Sequence, residues 1–258
     1  MSHQQNITDV LVVGATGGVG PVAVAAAAQR HGLRPRALVR DVRRAERLLP
    51  GVDLVQGDPE DPASLHAAVQ GVDAMVLAHG SGGDSRPDAR AHIDHGGVRV
   101  LLRVLDGARP RVALMTSLCA TRGDIPGATP WKRRSARLLR AGGPHTIVRP
   151  GRFDHAGPTQ RRLVLEQGGT ADGGVARDQI AGTRVRSLLT STAPGKTFEI
   201  TATDGEEPAG RAELFGALET GPSGSVNGVP DPADLPVEAE PRPLRADLDA
   251  VRSLRPGA

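Results

Sequence analysis

The sequence contains no tyrosine, three phenylalanines and one tryptophan, so aromatic residues fill 2% of its 258 positions. No mechanism in this chain can draw a proton from a phenol. So few rings argue against stacking on single-stranded nucleic acid. Lysine is scarce as well: Lys132 and Lys196 are the only two, and arginine supplies the other thirty of 32 basic residues. Set against 29 Asp and Glu, the formal charge is +3. That reads as a composition bias toward arginine and not as a nucleic-acid footprint. The single cysteine, Cys119, can form no internal disulfide. It follows an apolar run and reads as packing, not as a nucleophile. No run approaches the ~20 apolar residues of a membrane helix, and residues 1–8 carry no signal pattern. No spacing of His, Cys, Asp or Glu reads as a metal site. The expectation is a cytoplasmic protein, monomer or homodimer, with a small-molecule substrate and neither nucleic acid nor membrane as partner.

Glycine and proline are abundant, at 33 and 21 residues, but without a period. The length fits one large domain with a core of its own. Apolar strands alternate with helical patterns along the first 150 residues. Strands are expected at 9–13, 36–39, 52–56, 74–77, 112–115 and 145–148. Helices are expected at 19–29, 42–49, 62–69, 89–108 and 130–141. Six such units predict an α/β doubly wound parallel sheet, a Rossmann fold. Residues 160–165 read as either a short helix or a strand. A helix at 177–189, a strand at 197–200, a helix at 209–218 and a last short helix at 247–254 follow. Residues 222–245, rich in Pro, Asp and Gly, read as an extended wrap. The domain reading is a Rossmann unit over 1–200, with part of the substrate pocket from 151–165. Residues 201–258 form a small C-terminal lobe that is not independent, expected over the carboxyl edge of the sheet.

Gly14, Ala15, Thr16, Gly17, Gly18, Val19 and Gly20 form a GxxGxxG turn between the first strand and helix. Glycines let the backbone approach a pyrophosphate, and the helix N-terminus stabilises its charge. Strand two ends at Arg40, where a carboxylate would bind the ribose hydroxyls of NAD. A guanidinium there suits a 2′-phosphate, with Arg43 or Arg44 as second donor, so NADP is the expected cofactor. Asp41 is read as starting the next helix. Asp58, after strand three, either faces the adenine or caps the next turn. Ala78, His79 and Gly80, after strand four, lie where the chain passes the adenine-side ribose.

Strand five ends in Thr116 and Ser117, whose hydroxyls point into the crevice where nicotinamide should lie. Lys132 opens a basic helix and offers an ammonium to the nicotinamide ribose and a positive local potential. Pro150, Gly151, Arg152 and Phe153, after strand six, would support the nicotinamide from the backbone.

These segments together carry a resemblance. GATGGVG, the LVR end of strand two, the QGD end of strand three, MTS, WKRR, TIVRPG and GKTFEI, over residues 9–200, resemble an atypical short-chain dehydrogenase/reductase of the NAD(P)H-binding, NmrA-like group. In the extended members a tyrosine lies four residues before the active-site lysine. Counting back from Lys132 lands on Ala128, so the lysine and the hydroxyl position are retained while the tyrosine position is empty. The resemblance implies a substrate pocket beside 153–162, with Asp154, His155 and Gln160 as polar candidates. It also matches Arg177 and Asp178 to a pair that starts a packing helix. The group spans reductases, isomerases and redox sensors.

The leading expectation is an NADPH-dependent oxidoreductase acting on a carbonyl or activated double bond of a small organic molecule. Thr116 or Ser117 would hydrogen-bond the developing oxyanion beside Lys132, with a proton from His155, His79 or water. The alternatives are a non-catalytic NADP(H) sensor and an isomerase or epimerase.

Overall fold

A computed structural model describes residues 7–17, 21–82, 84–123, 129–153, 155–210, 212–229, 231 and 233–254. Gly18, Val19, Gly20, Ala128 and Asp154 lie outside them. The described residues form ten strands: β1 (Asp9–Val13), β2 (Arg34–Val39), β3 (Asp53–Gln56), β4 (Ala74–Leu77), β5 (Arg111–Met115), β6 (His145–Pro150), β7 (Arg152–Phe153), β8 (Arg162–Glu166), β9 (Gly174–Val175) and β10 (Lys196–Thr203). Eight of them form one sheet in the order β3-β2-β1-β4-β5-β6-β10-β8, parallel except for β8. β7 and β9 pair separately. The strand order reverses between β1 and β4, the place where an open α/β sheet leaves a crevice at its carboxyl ends.

Alternation along β1 assigns the two faces. Leu11 and Val13 join Met75, Leu77, Leu101, Leu114, Leu138 and Leu139 in one core cluster. That face is covered by α3 (Pro62–Val69), α4 (Gly97–Leu105) and α5 (Thr129–Gly142). Val10 and Val12 join Ala25, Ala28, Val76, Ala113, Ala181 and Val185 in the other. There α1 (Pro21–Arg30) lies against α6 (Arg177–Leu189), which also packs on β4, β5 and β6. A third cluster, around Phe198, Ile200 and Phe215, fills the β10 end and reaches α7 (Ala212–Gly216). α2 (Val42–Leu48) is capped by the Asp41 side chain, as the sequence predicted.

Three elements differ from expectation, and one open reading is settled. The long helix expected at 89–108 begins as a π-helical segment, Arg90–Gly96, and becomes α4 only at Gly97. Residues 160–165 resolve toward strand β8, and the helix expected at 209–218 shrinks to α7. The last helix, α8 (Arg242–Ser253), starts five residues early, because Pro243 sits in its first turn, where proline is tolerated. α8 packs on α4 and α5 and so flanks the sheet, while Asp231 of the same C-terminal lobe reaches Thr121 and Arg149 at the carboxyl ends of β5 and β6. No helix among the described residues is long and apolar enough to cross a membrane.

Candidate active site

The carboxyl ends of the first five strands open into a cleft of about 670 Å³. Gly14, Thr16 and Gly17 line one wall. Gly14 has φ +84°, and a Cβ there would lie 2.6 Å from the backbone nitrogen of His79. The β1 turn and the β4 end are therefore in backbone contact, which only glycine allows. The groove so formed is the cradle a dinucleotide pyrophosphate needs.

At the far end of β2, Arg40 and Arg44 line the cleft, whereas Arg43 does not. The Arg44 guanidinium donates to the Thr16 carbonyl at 3.3 Å, and its backbone N–H to Asp41 at 2.9 Å. One turn of α2 thus brings Arg44, not Arg43, back to the glycine turn. Asp58 also lines the cleft while accepting the Glu60 N–H at 2.9 Å. It caps the turn that follows β3. Asp84 and Arg86 add an exposed ion pair at 2.9 Å on the same rim.

Ala78, His79 and Gly80 line the middle of the cleft. Burial holds the His79 imidazole down at about 4; Asp94 opposes the shift, while Lys132 and Arg184 add to it. The ring is neutral at pH 7. Its Nδ1 is buried without a hydrogen-bond partner among the described residues. A Cβ at Gly97 would lie 3.1 Å from His79 Nε2, so the second glycine of the Gly96–Gly97 pair makes room for this ring.

Thr116, Ser117, Lys132 and Phe153 close the other end, with Met115, Ser81 and Ile93 beside them. Thr116 is 2% exposed, and its Oγ1 has no partner among the described residues. A buried orphan hydroxyl facing a cleft calls for a ligand hydrogen bond. Lys132 Nζ lies 3.2 Å from Asp94 Oδ1. Ser81 Oγ donates to Asp94 Oδ2 at 2.5 Å and the Ser81 N–H to Oδ1 at 3.3 Å, while Ser135 Oγ donates to the Asp94 carbonyl at 2.5 Å. The expected positive field at Lys132 is therefore largely compensated by a buried carboxylate.

Several expected site residues lie elsewhere. Pro150, Gly151 and Arg152 are not among the lining residues. The Gly151 N–H donates to Ile200 at 2.9 Å, and Arg152 pairs with Asp172 at 2.8 Å on the surface. Both are used by the sheet and its rim. His155 is exposed and outside the cleft. Gln160 turns its amide oxygen to the Gly157 N–H, and Asp178 pairs with Arg161 at 2.7 Å. Sequence reasoning missed Asp94, Ser81 and Arg184. Arg184 is 1% exposed and donates to the Leu77 carbonyl at 2.7 Å, behind the cleft wall. No local pattern in residues 89–108 marks Asp94 as buried. Among the described residues no group of three or more His, Cys, Asp or Glu is arranged to hold a metal ion.

The glycine cradle, the two rim arginines and the orphan Thr116 hydroxyl fit a dinucleotide laid along the cleft. The chain is similar to the uncharacterized sugar epimerase YhfK of Bacillus subtilis (strain 168), 26% identical over 215 residues, which cover 79% of this chain and 97% of YhfK. In fold it is similar to a proposed NAD-dependent epimerase/dehydratase from Bacillus halodurans: TM-score 0.70, 23% identity, 82% of this chain and 100% of that one. It is also similar to ChuY, an anaerobillin reductase from Escherichia coli O157:H7: TM-score 0.62, 20% identity, 78% and 100% covered. The NAD(P)H-binding family model matches residues 14–191, more than two thirds of the sequence, and the chain belongs to that family.

Proposed function

We propose that the protein is an NADPH-dependent oxidoreductase of the NmrA-like atypical short-chain type, acting on a carbonyl or activated double bond of a small organic molecule. The observation that carries this reading is the cleft's blind end. Thr116 and Ser117 line it, beside a lysine whose charge is held by Asp94. The bound cofactor would supply a hydride; the residues supply the rest. Gly14, Thr16 and Gly17 would hold the pyrophosphate, and Arg40 with Arg44 a 2′-phosphate. Thr116 Oγ1 and Ser117 Oγ would donate to the oxygen that gains charge, which is where fixed donors lower a barrier most. Lys132 would position the ribose and return a proton to that oxygen, drawing its own replacement from water.

The likeness to YhfK and to the Bacillus halodurans protein, both named as epimerases, favours a second reading, an epimerase that keeps its nucleotide between turnovers. One experiment separates the two. Denature the purified protein and assay the supernatant for nicotinamide nucleotide, then incubate fresh protein with NADPH and a panel of aldehydes, ketones, quinones and enones. Substrate-dependent NADPH loss without co-purified nucleotide supports the oxidoreductase. Retained nucleotide with sugar epimerisation and no net NADPH loss replaces it.

A further inference from the structure

The segment between Val226 and Glu240 lies outside the stretch that matches the family, yet its side chains reach the catalytic end of the sheet. Asp231 is the point of contact. Its carboxylate, 3% exposed, accepts from the Thr121 hydroxyl and lies 3.3 Å from Arg149 Nη1. Arg149 Nη1 also bonds Glu199 Oε1 at 2.9 Å, and Glu199 Oε2 accepts the Gly169 N–H at 3.1 Å. A Cβ at Gly169 would collide with the Asp231 carboxylate. One buried carboxylate therefore ties together the loop after β5, the end of β6, β10 and the turn at Gly169.

The loop after β5 is the one that carries Ser117. It leaves Thr116, and its Leu118 N–H bonds the Pro150 carbonyl at 3.2 Å. It then passes through Cys119 at φ +59°, a left-handed conformation that is strained for a residue with a side chain. Such strain persists only where the surroundings over-determine it. Pro150 holds the near side of Cys119, and the Asp231 bond to Thr121 holds the far side. Thr121 itself is 1% exposed.

We propose that Asp231 is a positioning residue: it pins the 117–123 loop in its strained form and so fixes the Ser117 hydroxyl at the nicotinamide end of the cleft. Only the nucleotide arm of the test rests on the proposed function. Cys119 is the sole cysteine, so its reaction with a small aromatic disulfide reports on this loop alone. Asp231→Ala should raise the second-order labelling rate about tenfold or more, through local opening. Asp231→Asn, whose amide oxygen still accepts from Thr121, should raise it less. Asp231→Ala should weaken NADP+ about tenfold by calorimetry while leaving 2′,5′-ADP, which has no nicotinamide half, unchanged. Where Asp231→Ala fails to fold, Thr121→Val makes the same release with every charge in place. An unchanged labelling rate in a folded variant overturns the proposal, as does equal weakening of both nucleotides. If wild type binds neither nucleotide, the cofactor reading falls, and the Cys119 rates still decide the positioning role.

Discussion

Asp94 Oδ1 and Lys132 Nζ meet at 3.2 Å, with the carboxylate side chain 2% and the lysine 17% exposed. The π-helical segment places Asp94, and the first turns of α5 place Lys132, so two covering helices share one ion pair at the cleft wall. Removing one partner leaves the other charge buried and unpaired. Lys132→Met should cost about 3–5 kcal/mol by urea unfolding at neutral pH. Adding Asp94→Asn should recover most of it. A cost under ~1 kcal/mol would show that the pair acts as a surface one.

Arg40→Ala should lower the preference for NADPH over NADH. A charge-assisted hydrogen bond is worth about 1.5–3 kcal/mol, so the loss should be roughly ten- to a hundredfold in fluorescence titrations. Arg44→Ala should also weaken the turn, because Arg44 holds the Thr16 carbonyl. Arg43→Ala should change neither affinity. Equal NADPH and NADH binding by wild type would remove the 2′-phosphate from this rim.

Two histidines predict acid sensitivity. Burial holds His79 and His95 down at about 4, from 6.5. Between those values the unfolded chain binds more protons, so stability is present above pH 6.5 and is lost as pH falls toward 4. The upper limit is about 3 kcal/mol per histidine. His95→Gln should flatten the stability–pH curve in that window by up to one proton, with no change of slope above pH 7. An unaltered slope would mean that His95 titrates normally.

Glu240 is 3% exposed and receives Arg137 at 2.6 Å, Arg134 at 2.9 Å and Arg133 at 3.0 Å. Burial acts to raise its carboxyl, but the bonds from Arg133 and Arg134 outweigh it and leave it below the usual carboxylate range. Glu240→Gln should cost about 3–5 kcal/mol, since three guanidiniums lose one shared charge. Thermal unfolding measures this directly. A loss under ~1 kcal/mol would reduce the cluster to surface-type pairing.

The sheet was legible because its strands are short apolar runs bounded by Gly, Pro and Asp, and because β1 alternates cleanly between two cores. That Gly14, Thr16, Gly17 and Arg40 would share one cleft was legible for the same local reason. Asp94 was not, since nothing in a helical pattern tells a buried carboxylate with a distant lysine from an ordinary exposed one. The arginine surplus was read as composition. In the fold, Arg133, Arg137, Arg140, Arg149 and Arg184 are all buried and hydrogen-bonded. Their acceptors lie up to about a hundred residues away, beyond any local period. Pro150, Gly151 and Arg152, expected beside nicotinamide, do not line the cleft: a Pro-Gly turn signals a bend but not which neighbour its backbone serves.

The separation of Arg137 from Glu240, 103 residues, has a consequence for biogenesis. At about 5–20 residues per second, the ribosome delivers α5 many seconds before its acidic counterpart emerges. During that interval the growing chain carries a cluster of guanidiniums that must stay hydrated. Until Glu240 emerges, Arg133, Arg134 and Arg137 lack the carboxylate they share in the fold.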